Sequence, residues 1–430
     1  MTAGGDPAVL ALVRLIAANG GQMTFGEVCS RLPATAAQLR RLVAEAGKRL
    51  ANAHPMAMQP PLRLTPEGRA WLAEQDQRNP AEILVIRLTS RPDVEVENVC
   101  STLFRGSTQL AAGCTSFTSY RLAAIRYLLS FAPEDITAGT TLRAAREIGL
   151  ALLPPCRRCA LPHASPCASC VRGRYREVLS EVSVDHRWID VRLQIASPWH
   201  HVPWEMAALD TDDFVARDPA VSLVRTVGEG SHPVRVIDGP NRVLIAMPTM
   251  PAEDEQAFEA EATQIIQALS ESEGPERRFD VVRLSHFDDS DALRSAVLRE
   301  KPQVVHLIGH GSASGVAAAK LLMSKNALTD ALAGVPIVVL GSCFGASEAG
   351  ADAHGSSLAR RIAEAGATSV VAFEGSAETT HATRFSVAFY RELARSGSVD
   401  RAVQHGRTAM SSGAPLYQWG QVVHFAGVSR

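Results

Sequence analysis

The stretch VVHLIGHG (Val304–Gly311) is followed, after a helical segment, by VPIVVLGSCFGA (Val335–Ala346). The reading of these two runs decides the fold. Val304 to Ile308 and Val335 to Leu340 have the length and β-branched content of strands buried on both faces. Each run ends in glycine, and one reactive side chain stands just past each end: His310 after the first, Cys343 after the second. In an open α/β sheet, loops at the carboxyl ends of neighbouring strands share one crevice, and reacting groups collect there. A cysteine reacts as its thiolate, and a nearby imidazole favours that form or moves the proton. Gly311 directly follows the histidine, so its amide can approach a bound carbonyl without side-chain interference. The bland alternative is a buried structural thiol beside a satisfied loop histidine. Equivalent positions at two glycine-flanked strand ends favour chemistry over it.

This block resembles the CHAT family, caspase-like cysteine peptidases related to caspases and separase. The family's histidine motif matches Val305-His306-Leu307-Ile308-Gly309-His310-Gly311, and its cysteine motif matches Val338-Val339-Leu340-Gly341-Ser342-Cys343. Pro203-Trp204-Glu205 is similar to the family's Pro-Trp-Glu signature, and Ala365 to Val371 to its next strand. Phe389-Tyr390 through Leu393, and the run to Pro415 and Trp419, resemble its closing helices and strand. The likeness covers about residues 180–430, with one departure: Phe373-Glu374 stands where many relatives carry a Trp. The resemblance implies a caspase-like, doubly wound, mainly parallel α/β sheet and an endopeptidase acting on a protein substrate. It further implies attack by the Cys343 thiolate, an oxyanion held by the amides of Gly311 and Cys343, and proton delivery by His310 to the leaving amine. No cofactor is needed for that chemistry, and a regulated role in bacterial defence or cell death is expected.

At 430 residues the chain has room for two or three domains with real cores. A formal net charge of −2 gives no global argument for nucleic-acid or membrane binding. No stretch approaches eighteen uninterrupted apolar residues, and Met1-Thr2-Ala3-Gly4-Gly5-Asp6 does not open like a signal peptide. A cytoplasmic protein is expected. Its eight cysteines then read as thiols, metal ligands or nucleophile rather than as disulfides.

Residues 1–76 are expected to form a small winged-helix-like domain. Leu10, Val13, Leu15 and Ile16 give a first helical stripe, broken at Asn19-Gly20-Gly21. Thr24 caps a second helix that Pro33 closes, and Thr35 starts a third with Leu39, Leu42, Val43 and Ala46 inward. An extended stretch from Met56 to Leu64 leads to Thr65-Pro66, a helix start with Pro at its first position. Arg40, Arg41, Lys48 and Arg49 on the third helix would meet phosphates if that helix entered a major groove. A solvated face on a protein-binding module is the alternative, so the partner there is a regulatory protein or a nucleic acid.

Residues 77–175 read as a helical connector, with a strand possible at Ile83 to Leu88 and helices at Ser119–Phe131 and Thr140–Leu153. Within it, Cys156-Arg-Arg-Cys159 and Cys167-Ala-Ser-Cys170 supply four thiolates, the closed tetrahedral set that structural zinc prefers. A redox pair and an iron–sulfur site are the alternatives, and His163 could replace one thiolate.

Residues 176–430 make the peptidase region. Val178–Val184 and Trp188–Ile195 read as a hairpin turning at Asp185-His186-Arg187, and Gly228–Gly239 as an exposed loop. From Val243 onward strand and helix alternate, which implies the parallel sheet. Glu348, Asp352, Glu374 and Glu378 could line a groove and select a basic substrate residue, Glu374 and Glu378 foremost; solvated loop charges are the alternative. Ser356 is placed to cap the helix carrying Leu358 and Ile362. Two rivals from other classes stand beside the peptidase: a non-catalytic winged-helix regulator assembled through a caspase-like domain, and a redox or zinc sensor governed by the cysteines.

Overall fold

The computed structural model describes residues 9, 12–13, 16, 22–25, 27–28, 36–46, 49–51, 62–68, 82–90, 98–116, 138–156, 167–184, 188–196, 199–211, 213–228, 239–272, 277–312, 314–318, 321–347, 356–412 and 416–427. Two compact units emerge, Met1–Glu82 with Leu179–Ile189, and Ile83–Val178 with Asp190–Arg430.

In the first unit, β1 (Gln22–Met23), helix α1 (Ala36–Ala46), β2 (Leu50–Ala51) and β3 (Leu62–Leu64) surround a small core. The strands form an antiparallel sheet in the order β1-β3-β2. Val9, Leu12, Val13, Ile16, Val28, Val43 and Ala46 are buried together, so the first and third helical stripes face one cluster. Thr24 and Glu27 form a reciprocal capping box: the Glu27 amide donates to Thr24 Oγ1 and the Thr24 amide to Glu27 Oε2. The Gly68 amide donates to Thr65 Oγ1, capping the helix start at Pro66. Lys48 and the stretch 52–61 lie outside the described residues.

The second unit is built on one eleven-stranded sheet. In chain order its elements are β4 (Glu82–Ser90), β5 (Asn98–Arg105), β6 (Thr108–Ser116), α2 (Ala138–Leu152), α3 (Val171–Val184, which from Leu179 onward belongs to the first unit), β7 (Ile189–Ile195), β8 (Val221–Thr226), β9 (Gly239–Pro248), α4 (Ala252–Ser272), β10 (Arg277–Phe287), α5 (Ser290–Glu300) and β11 (Val304–Ile308). A small three-stranded side sheet follows, β12 (Gly311–Ser312), β13 (Gly315–Ala317) and β14 (Leu322–Ser324). The chain continues through α6 (Lys325–Ala331), β15 (Ile337–Gly341), α7 (Leu358–Glu364), β16 (Ser369–Phe373), α8 (Thr379–Ser396), α9 (Val399–Ser411), α10 (Leu416–Trp419) and β17 (Val422–Ala426). The sheet order is β10-β9-β11-β15-β16-β17-β8-β7-β4-β5-β6.

Its first five strands are parallel, and β17 closes that block antiparallel to β16. β11, β16 and β17 are buried at every residue, as continuous apolar runs require. On one face Leu244, Val305, Leu307, Val338 and Leu340 pack with Leu293 of α5, Leu328 of α6 and Ile362 of α7. On the other, His306 of β11 meets Tyr390 of α8, and α8 meets α4 through Ser386 and Glu261. Helices on both faces make the sheet doubly wound, as expected.

Several expectations change. Val171–Val184 is a helix, not the first arm of a hairpin: Val171, Tyr175, Val178 and Val182 are buried at helical spacing, a period obscured by starting at Val178. The turn at 185–187 lies outside the described residues, as do Ser119–Phe131, 229–238 and Pro415. The stretch expected as a helical connector supplies three antiparallel strands, β4 to β6, that extend the main sheet, and α2. Cys100 and Cys114, cross-strand partners on β5 and β6, form a disulfide, contrary to the reading of all eight cysteines as free or ligating. Ser357, one residue beyond Ser356, caps α7 by accepting from the Arg360 amide at 3.2 Å.

Candidate active site

β11 and β15 run parallel with Ile308 opposite Gly341. His310 and Cys343 each stand two residues past that pair, at the same step beyond adjacent strands about 4.8 Å apart. Gly311 draws the loops closer: a Cβ there would lie 2.0 Å from the Cys343 carbonyl oxygen. Only glycine permits that approach. Gly309 packs in turn against Pro248, at the end of β9.

Phe344, directly after the cysteine, has φ 58°, a left-handed conformation uncommon for an aromatic residue. It is held by its neighbours, the Phe344 amide donating to Gly375 O at 3.1 Å and the Ala346 amide to Phe373 O at 2.9 Å. The cysteine loop is thereby clipped to the loop between β16 and α8. That second loop reaches the sulfur: the Ala377 amide donates to Cys343 Sγ at 3.4 Å, with Ser376 Oγ at 4.0 Å. The thiol sits at the amino end of an 18-residue helix, where backbone N–H groups make the potential positive. Cys343 is partly exposed, and the His310 side chain is about half exposed at 52 %. His310 Nε2 lies 3.0 Å from Asp254 Oδ2, and the edge of its ring meets Phe258 at a centroid distance of 5.2 Å.

The structure separates the two candidate specificity acids. Glu374 is only 3 % exposed, and its Oε2 accepts from Arg225 Nη2 at 3.1 Å. Its charge is committed inside the fold, so it does not stand as a groove acid. Arg225 also donates to Glu205 of the Pro-Trp-Glu signature at 2.9 Å, and to the carbonyls of His200 and Val202. Glu378 differs: it is half exposed, stands at the N-cap position of α8 immediately after Ala377 without a side-chain capping bond, and faces His381 Nδ1 at 3.4 Å. Glu348, Asp352 and His354 lie outside the described residues.

His306 is a core residue. Its Nδ1 is 3.0 Å from Tyr390 Oη, and burial pushes its pKa down to about 3. Burial pushes Glu261, 3.8 Å from its other nitrogen, up to about 7, against the opposing hydrogen bond from Ser386. Around neutral pH His306 is uncharged, and the pair is a packed polar cluster rather than a strong ion pair.

Sequence reading missed Arg225, Ala377 and Asp254. Arg225 had one visible signal, a lone cation in the apolar run Val221–Val227.

A second cluster lies before α3. The Sγ atoms of Cys156, Cys167 and Cys170 all lie within 4.8 Å of one another, with Cys156–Cys167 at 3.4 Å and Cys167–Cys170 at 3.5 Å. Four thiolates on a tetrahedral zinc at about 2.3 Å stand about 3.8 Å apart, so this spacing fits the metal. Gly173 lets the knuckle close on its helix, since a Cβ there would meet Cys167 O at 2.1 Å. Cys159 and His163 lie outside the described residues.

A parallel α/β sheet wound on both faces, presenting a histidine and a cysteine from adjacent strand ends, is a caspase-like fold. The chain belongs to the CHAT domain family, which matches residues 177–426. Among solved structures it is similar to the Saccharomyces cerevisiae separase in its complex with securin, at 12% identity and a TM-score of 0.50, over 84% of this chain and 30% of that chain. It is more distantly similar to the Arg-specific cysteine proteinase gingipain R, at 13% identity and a TM-score of 0.36, over 60% of this chain and 67% of that chain. No curated protein matches the sequence. No helix among the described residues is long and apolar enough to cross a membrane.

Proposed function

We propose that the protein is a cysteine endopeptidase in which Cys343 is the nucleophile and His310 the proton-transfer group. The observation that carries this is the shared step of both residues beyond paired strands, closed by the Gly311 contact with Cys343. The thiolate attacks the scissile carbonyl carbon, and the displaced electron pair moves onto oxygen, held by the amides of Gly311 and Cys343. Collapse breaks the C–N bond as the imidazolium gives its proton to the amine. Water then attacks the thioester, passing a proton to the imidazole; the C–S bond breaks to return the Cys343 thiolate, and the carboxylic acid product leaves. Glu378, next in the chain after the Ala377 that reaches the thiol, is the residue we assign to selecting a basic side chain before the scissile bond. Family membership supports a regulated role in defence or cell death. Amino-terminal sequencing of the whole proteome, comparing cells that express wild type and Cys343→Ala, tests the reading. Identical sets of new termini would overturn it.

We assign the cysteine cluster to one structural zinc held by Cys156, Cys159, Cys167 and Cys170. Purified protein is expected to carry about one zinc per chain. Cys156→Ser or Cys170→Ser should release it and lower the unfolding temperature, because binding free energy at such a site is folding free energy. Undiminished metal in both variants would remove the assignment.

We assign residues 1–76 to a winged-helix-like module that receives a regulatory protein or nucleic acid through α1. Arg40 and Arg41 are exposed there, Arg41 engaging Glu45 at 2.6 Å. Exposed pairs of this kind are weak and easily exchanged for a partner. Arg40→Glu with Arg41→Glu should alter regulation in cell extract while leaving cleavage by purified protein unchanged. Equal behaviour in extract would leave the face without that role.

A further inference from the structure

In a dyad built on a half-exposed loop histidine, something must fix which ring nitrogen works. Among the described residues two contacts hold the His310 ring, and both come from α4: Asp254 Oδ2 at 3.0 Å from Nε2, and the ring of Phe258. Positions 254 and 258 are four apart, so both side chains lie on one helix face. The start of that helix is fixed beside the reactive loop: the Thr249 amide donates to Phe287 O at the end of β10 and the Asp254 amide to Pro251 O, while Pro248, the last residue of β9, lies against Gly309 beside the histidine. Acids in a first helical turn commonly do no more than complement the helix dipole, and Glu253 and Glu255 flank Asp254 in that role. Glu255 is directed elsewhere, lying 3.4 Å from His286 Nε2. Among the three, Asp254 alone faces the imidazole of the reactive loop.

We propose that Asp254 is the positioning residue of the dyad, accepting the Nε2–H of His310 and leaving Nδ1 to work on the peptide. This rests on the peptidase reading. The carboxylate exchanges no proton. It holds the tautomer whose Nδ1 takes the thiol proton, and it stabilises the imidazolium until Nδ1 releases that proton to the leaving amine. Phe258 limits rotation of the ring, so the two contacts together set both its identity and its plane. In a serine triad, changing the equivalent acid to its amide lowers kcat by about 10⁴ through the wrong tautomer. A thiol ionises more readily than a serine hydroxyl, so part of that dependence falls away.

Two measurements test the proposal on the full chain. On a peptide that wild type cleaves, Asp254→Asn should lower kcat by about 100-fold, the low end of general acid–base contributions, with KM changed less than about 2-fold. Asp254→Glu should recover most of the loss, and Glu255→Gln on the same turn should behave as wild type. Unchanged kcat in Asp254→Asn would overturn the proposal, as would equal losses in Asp254→Glu and Asp254→Asn. The second measurement needs no turnover. Nitrogen-15 imidazole spectra of the Cys343→Ala protein, with the His310 signals assigned by their loss in His310→Gln, should show the Nε2–H tautomer. Adding Asp254→Asn should abolish that preference, and an unchanged tautomer would overturn the proposal. If Cys343→Ala cleaves the peptide as well as wild type, the peptidase reading fails, and the spectra still decide the role of Asp254.

Discussion

Cys343→Ala is expected to reduce peptide cleavage by on the order of 10⁴- to 10⁶-fold, the loss that follows removal of a nucleophile from a group acting as a unit. His310→Ala should fall in the same range. The double variant should be hardly worse than either, because the two side chains serve one sequence of bonds. Neither change should disturb folding. Both residues are partly exposed in loops, and Cys343 Sγ meets the Ala377 amide at 3.4 Å with Ala377 O and Ser376 Oγ at 3.9 and 4.0 Å, so unfolding temperatures should stay within about 2 °C of wild type. A thiol-directed electrophile with a peptide recognition element should label Cys343 and no other cysteine. Retained cleavage by a folded Cys343→Ala protein would end the mechanism.

The second large effect falls on stability. Arg225 is fully enclosed, its side chain 2 % exposed, and it ties Glu205, Glu374 and two backbone carbonyls from the 200–202 turn. Such an assembly adds little net stability over an apolar one, yet removing one partner leaves a buried charge uncompensated. Glu205→Ala should therefore destabilise the protein by about 3–5 kcal/mol, a drop on the order of 10 °C in unfolding temperature. Glu205→Gln keeps an acceptor and should lose less. Glu374→Ala should also lose less, since Glu205 still faces Arg225 with both oxygens. Thermal unfolding within about 2 °C of wild type for Glu205→Ala would show that the cation finds water instead.

This network marks where sequence reading stopped. β11 and β15 were legible because strands buried on both faces must be apolar and β-branched, and Gly309, Gly311 and Gly341 marked their ends. Long-range pairing leaves no such trace. Glu374 looked like a groove acid because it follows a strand near the cysteine in the chain, and nothing local reveals Arg225, 149 residues away. Asp254 was hidden differently: an acid after Pro251 at a helix start already has a sufficient local explanation. The disulfide could have been found. Cys100 and Cys114 flank the Gly106–Ser107 turn, where Gly106 takes the positive φ of 60° that such a turn uses, and a bulge at Leu103–Phe104 brings the two opposite each other. The assumption of a reducing compartment overrode that signal. The helix at Val171–Val184 was lost to a window that began half-way along it.

The contact between Gly311 and Cys343 also bears on how such a sequence can diverge. At position 311 the alphabet has a single letter, because the atom a side chain would strike is backbone and cannot rotate away. Position 341 is nearly as narrow, with a Cβ there falling 2.7 Å from the ring of His306. Position 309 is looser, its nearest neighbours being the side chains of Pro248 and Val316 at 3.3 Å. Neutral drift can therefore rewrite much of the surrounding surface while Gly311 and Gly341 stay fixed by sterics alone. A descendant that had lost its cysteine or its histidine would still carry both glycines, and so the outline of the site, long after its chemistry had gone.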